Sequence, residues 1–181
     1  MTKTTRQLMA GVMMAGLVGA GRPAGAADAT VPEMARVRSS HPSITALIQQ
    51  ATERSETFRG IVATINASDG IVYVEEGECG HGVRACLVAV MTAGANRMLR
   101  VTGDTRKADW DLMGSIGHEL RHSIEVLSEP GVRSNADMYF FYARIGFRGT
   151  GSGAVETNAA IDAGTAVRAE VRKSQSRGEA N

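Results

Sequence analysis

The chain has 181 residues, 20 Lys+Arg against 19 Asp+Glu, 43% hydrophobic and 4% aromatic residues, four His and two Cys. That length suits one globular domain and excludes two large ones. A net charge of +1, with no stretch dominated by Lys and Arg, lacks the electrostatic footprint of a nucleic-acid-binding protein, so no nucleic-acid partner is expected.

The N-terminus carries Lys3 and Arg6, an apolar and small-residue run from Leu8 to Ala20, then Pro23, Ala24, Gly25 and Ala26. This is the plan of a secretory signal peptide over residues 1–26, with cleavage expected after Ala26. The apolar run is shorter than the roughly 20 residues of a membrane span, and no second run of spanning length follows it, so no stable membrane insertion is expected after cleavage. Cleavage would remove Lys3, Arg6 and Arg22 and no acid, leaving 17 basic and 19 acidic residues and a net charge of −2. The expected location is periplasmic or secreted.

Residues 27–42 hold Pro32 and Pro42 and little periodicity, which predicts an extended leader to a single domain over 43–171. From Ile44 the apolar residues Ile44, Leu47, Ile48, Ala51, Phe58, Ile61, Val62 and Ile65 recur at helical spacing, predicting one long or two consecutive helices. After Asp69-Gly70 come β-branched runs at 71–74, 86–92 and 98–101, read as a three-stranded antiparallel meander. A helix follows from about Asp109 to Leu127, stopped by Pro130-Gly131. Further helices are predicted over Asn135–Ile145 and about Val155–Val171, with a Gly-rich connection between them and a polar, frayed tail over 172–181. The fold class is therefore α+β: N-terminal helices, a small three-stranded antiparallel sheet, then an active-site helix and two C-terminal helices.

Cys79 and Cys86 flank a Gly-rich stretch between the first two predicted strands, and in an exported chain they predict a disulfide across a hairpin. A metal site from Cys79, His81 and Cys86 is the alternative, but it lacks a fourth ligand.

Within the Asp109 helix stands His118-Glu119-Leu120-Arg121-His122, a match to H-E-x-x-H. Residues four apart lie one turn up the same helical face, so two imidazoles can hold one zinc ion. With His118 at zero and about 100° per residue, His122 falls near 40° and Glu125 near −20°, whereas Leu112, Met113, Ile116, Leu120, Ile124 and Leu127 fall between about 120° and 240°. The histidines thus oppose the apolar stripe, as expected of ligands facing a cleft, and Gly114 and Ser115 would leave room above them. The same geometry also describes two solvated histidines.

A catalytic zinc needs a third protein ligand and an open position. Glu156 is the best candidate, because on the last predicted helix it aligns with Ala160, Ala163, Val167 and Val171, and an inward carboxylate must be paired or ligate a metal. A carboxylate in a first helical turn facing solvent is the competing reading. Glu125 suits a role orienting a histidine ring rather than ligating. Glu170 also faces inward but lies far along the helix.

These residues resemble the zincin metallopeptidases, specifically the gluzincin-like branch with an HExxH helix and a downstream glutamate, in a small exported bacterial-type protein. No histidine follows His122, which excludes the branch with a third His. Arg121 is charged where such motifs usually carry uncharged residues, and Ala160 stands four beyond Glu156 where several gluzincins carry Asp. The resemblance implies a Zn2+ cofactor held by His118, His122 and Glu156, Glu119 as the catalytic general base, and a peptide or protein substrate. Tyr139, Tyr142 and Arg144 are candidate oxyanion donors, although the aromatic run Tyr139-Phe140-Phe141-Tyr142 is expected in the core. The alternative class is a non-catalytic exported binding or structural module in which this helix is structural or only holds a metal.

Overall fold

The computed structural model describes residues 35–80, 82–148 and 155–178. The expected signal peptide and its cleavage point lie outside those residues. Within them the fold is α+β, as expected, with five helices, a four-stranded sheet and a two-stranded ribbon.

The first described element is a short strand, β1 (Val37–Arg38), which pairs with the sheet, so the end of the expected leader already belongs to the domain. Helix α1 (Pro42–Arg54) has Pro at its start, where no N–H is needed, and buries Ile44, Leu47 and Ala51. It ends at Ser55, whose hydroxyl accepts the Phe58 N–H and so caps α2 (Glu56–Asn66). The apolar run is therefore two helices, joined at Ser55.

The sheet has the order β1-β2-β4-β3, with β2 at Gly70–Glu76, β3 at Ala85–Ala93 and β4 at Asn96–Gly103. The three-stranded antiparallel meander is corrected on two counts. There are four strands, and β2 runs parallel to both β1 and β4, leaving β3 as the one antiparallel strand at the edge. Sequence neighbours usually pair in space, which favoured β2 beside β3. Here β4 takes the central place instead, because Leu99 and Val101 are its apolar inward residues and are buried almost completely between the two neighbours. Val72, Val74, Leu99 and Val101 share a core with Ile44, Phe58, Ile65, Leu112, Ile116 and Leu120 of the helices.

The connection from β2 to β3 must pass over the end of β4, and Gly77 N–H and Asp104 N–H bond to Gly103 and Arg84 carbonyls there. Cys79 and Cys86 form a disulfide with Cα atoms 5.9 Å apart. It closes this crossover and not a hairpin between paired strands. His81 lies outside the described residues. The disulfide indicates a non-reducing environment, and no helix among the described residues is long and apolar enough to cross a membrane.

Helix α3 (Trp110–Ser128) is capped by Asp109, whose carboxylate accepts the Leu112 N–H. Its other end is held by Arg97, a buried side chain of β4 that pairs with Asp69 and donates to the Val126, Leu127 and Glu129 carbonyls. The Val126 and Glu129 carbonyls also accept the Glu129 and Val132 N–H groups, so the guanidinium adds a second donor to those two and supplies one to Leu127 at the helix end. Helix α4 (Asn135–Ile145) has the expected bounds. Of its aromatic run only Phe141 reaches the core; Tyr142 is half-buried, and Tyr139 and Phe140 are 68% and 69% exposed. The expectation that all four pack inside is corrected, because a lone helix resting on the domain offers one side to it.

After α4, β5 (Phe147–Arg148) pairs antiparallel with β6 (Val155–Glu156), matching Phe147 to Glu156. Helix α5 spans Asn158–Gly178. It starts later than expected, so Glu156 belongs to a strand, and it continues through the stretch expected to fray. Arg172 stacks its guanidinium 4.5 Å from the Trp110 ring centre, which ties that polar stretch to α3.

Candidate metal centre

His118 and His122 project from adjacent turns of α3, with ring centres 4.7 Å apart. The competing reading of two solvated histidines is corrected, since His122 is buried. Helix α5 lies against their face: a methyl group at Gly114 would collide with Arg168 Cγ and stand 3.0 Å from the Gly164 carbonyl oxygen. The small residues at 114 and 164 allow that approach, so the room above Gly114 is filled by a helix.

Glu156 enters from β6. Its Oε2 lies 2.9 Å from His118 Nε2 and 3.5 Å from His122 Nε2, and one ligand atom from each of the three residues falls within 4.8 Å of the others. The three can therefore hold a metal ion. Glu156 Oε2 is buried and, despite these short distances, has no hydrogen-bond partner. Donor atoms that converge without bonding one another are what a shared cation requires. Two imidazoles and a carboxylate suit zinc and other divalent metals of similar softness.

The surroundings set the charges. The His118 and His122 imidazoles hold Glu156 down to about 2. Burial opposes charge on His122, but Glu125 and Glu156 outweigh it and push its pKa up to about 9. Glu125 accepts His122 Nδ1–H at 2.9 Å. Its other oxygen accepts the Thr157 hydroxyl at 2.7 Å. Burial also raises the pKa of Glu119, against the pull of His122 and His118; its Oε2 accepts the Leu87 N–H of the edge strand at 2.7 Å.

A cavity of about 270 Å³ adjoins two of the three ligands, lined by Glu119, His122 and Glu156 and by Ala85, Leu87, Met138, Tyr139, Tyr142 and Val155. Tyr139 thus stands beside the site. The Tyr142 hydroxyl donates to the His122 carbonyl at 2.9 Å, which commits its proton to the backbone, and burial raises its pKa. Arg144 is not brought there: its guanidinium lies 3.8 Å from Glu129 and over the Phe141 ring, outside the cavity lining. Glu170 is also elsewhere, accepting from Ser55 and Thr57.

Sequence reasoning missed Thr157, Leu87 and Asn135, whose Oδ1 accepts the Val90 N–H of the same strand. Only Thr157 carried a signal, as a Thr directly before a helical run. No family model, curated protein or solved structure compared with this chain matches it.

Proposed function

We propose that this chain is an exported, zinc-dependent peptidase, periplasmic or secreted, that hydrolyses peptide bonds. The observation that carries the reading is the convergence of His118, His122 and Glu156, the last two of which line an accessible cavity together with Glu119. Bound zinc would supply Lewis acidity toward a carbonyl and acidify a water at neutral pH.

The chain's own residues supply the rest. Glu119 is the carboxylate of the cavity wall that is not a ligand, whereas Glu125 lies outside that wall, and burial raises the Glu119 pKa toward the range where a general base is effective. Leu87 N–H holds its carboxylate toward β3. That strand is an edge, against which an extended peptide can lie. The apolar lining from Ala85, Leu87, Met138 and Val155 suits an apolar substrate side chain. Tyr139 is the remaining candidate for oxyanion stabilisation, since Tyr142 is committed to a carbonyl and Arg144 lies away.

The Leu87 to Glu119 bond also favours a second reading, because a carboxylate fastened to a strand can be a structural link. The chain would then be a binding module with metal held for stability. Metal analysis of the purified chain, with peptide hydrolysis by the wild type and Glu119→Gln, separates the two. The peptidase reading expects one zinc per chain and hydrolysis that Glu119→Gln abolishes. Metal with no hydrolysis of any peptide in a mixed library would support the module.

A further inference from the structure

Glu156 and Thr157 are consecutive residues at the junction of β6 and α5, and both reach the same histidine by different routes. Glu156 approaches His122 Nε2 directly. Thr157, nearly buried, is the cap of α5: its Oγ1 accepts the Ala160 N–H at 3.2 Å. Because a backbone N–H only donates, that bond leaves the Thr157 hydroxyl proton free for Glu125 Oε1, 2.7 Å away. Glu125 Oε2 in turn accepts His122 Nδ1–H, which leaves Nε2 directed at Glu156. The Tyr142 ring packs edge-on against His122 with centres 5.2 Å apart, so Glu125 is the polar restraint on that ring and Tyr142 the apolar one.

We infer that Thr157 is a positioning residue of the metal centre: the cap hydroxyl of α5 orients Glu125 and, through it, fixes the rotation of the His122 ring. The junction that delivers one ligand thereby aims another. This rests on the metal reading above. It goes beyond it because a helix cap alone would need no proton on Oγ1, whereas aiming His122 does.

The test is calorimetric titration of the metal-stripped full chain with Zn2+ alone. The set is wild type, Thr157→Ser, Thr157→Val, Thr157→Gly, Glu125→Ala and the Thr157→Val/Glu125→Ala double variant. Ser keeps both bonds and should bind as the wild type does. Val loses both and should bind about tenfold more weakly, at the lower end of the range for outer contacts to a metal ligand. Gly is tolerated as a helix cap, so it should lose the same affinity while retaining its melting temperature, and it covers the case in which Val unfolds α5. In the Glu125→Ala background Thr157→Val should cost no further affinity, since the path it acts through is gone. Unchanged affinity in both Val and Gly overturns the inference. So does an equal loss with and without Glu125. Failure of the wild type to bind Zn2+ is a different result, and overturns the metal centre itself.

Discussion

Glu156 Oε2 stands 2.9 Å from His118 Nε2, although one residue belongs to a two-residue strand and the other to the central helix. The pairing of Glu156 with Phe147 and the start of α5 bring them together. Removing any of His118, His122 or Glu156 as Ala should therefore weaken zinc binding by more than the roughly 10- to 100-fold that outer contacts carry. Glu170→Ala should leave binding intact, because that carboxylate serves Ser55 and Thr57. Zinc titration of the four variants checks this. Retained affinity in Glu156→Ala would remove it from the ligand set.

Glu119 is held by Leu87 N–H and its Gln isostere can still accept that bond. Glu119→Gln should keep the fold and zinc affinity, while peptide hydrolysis falls by roughly 10²- to 10⁴-fold, the share of a general base. Parallel zinc titration and peptide cleavage measure both. Loss of zinc together with activity would mean that Glu119 serves the metal, not the proton transfer.

The histidine face of α3 was legible because helical spacing is a local property: His118, His122 and Glu125 follow from 3.6 residues per turn. Glu156 was legible as a candidate but for a partly mistaken reason. Thr157 followed by Asn158-Ala159-Ala160 marks a helix start, which would have placed Glu156 outside α5. Strand order was not legible, since which strand becomes central depends on non-local packing of Leu99 and Val101 and not on any spacing within β4. The approach of α5 to α3 was legible in the small residues Ala159, Ala160, Ala163 and Gly164 of the last helix, for which the His118 helix is the natural neighbour. The polar side of α3 is occupied because Gly114 and Gly164 let two backbones approach.

That approach gives a stability prediction. Gly114→Ala gains up to about 1 kcal/mol of helix propensity, yet its methyl meets Arg168 Cγ and the Gly164 carbonyl. Overpacking of this kind costs about 1 to 3 kcal/mol, so the variant should be net destabilised. It should also bind zinc less tightly, since α5 would shift with Thr157 at its start. Urea unfolding with and without zinc reads both effects. A more stable variant would show that the helices have slack at this contact.

Stability of the metal-free chain should depend on pH in a stated direction. Burial disfavours charged His122, but Glu125 and Glu156 outweigh this and raise it from 6.5 to about 9. A raised histidine binds protons more tightly when folded, so its contribution is full below 6.5 and is lost as pH climbs through about 9. Glu156, held from 4.5 down to about 2 by His118 and His122, contributes above 4.5 and is lost as pH falls through about 2. Zinc must displace the His122 proton, so its affinity rises over the interval in which the metal-free fold weakens. From about pH 6 to about pH 9 the metal-free Tm should fall and the zinc-induced increase in Tm should grow. Scanning calorimetry of both forms tests this; a zinc increment independent of pH would mean that His122 is already neutral.

Cys86 immediately precedes Leu87, the residue whose N–H holds Glu119, and its disulfide to Cys79 fastens the crossover above β4 to the start of that edge strand. Thiol titration of the native chain should find no free thiol. Replacing both cysteines by Ser should cost about 2 kcal/mol, the loop-closure value for so short a crossover. Because the loosened end lies next to Leu87, hydrolysis should fall more than zinc affinity, whose ligands sit on α3 and β6. Denaturant unfolding, zinc titration and peptide cleavage of Cys79→Ser/Cys86→Ser give the three numbers. An equal loss of affinity and activity would show that the disulfide supports the domain as a whole and not the strand that holds Glu119.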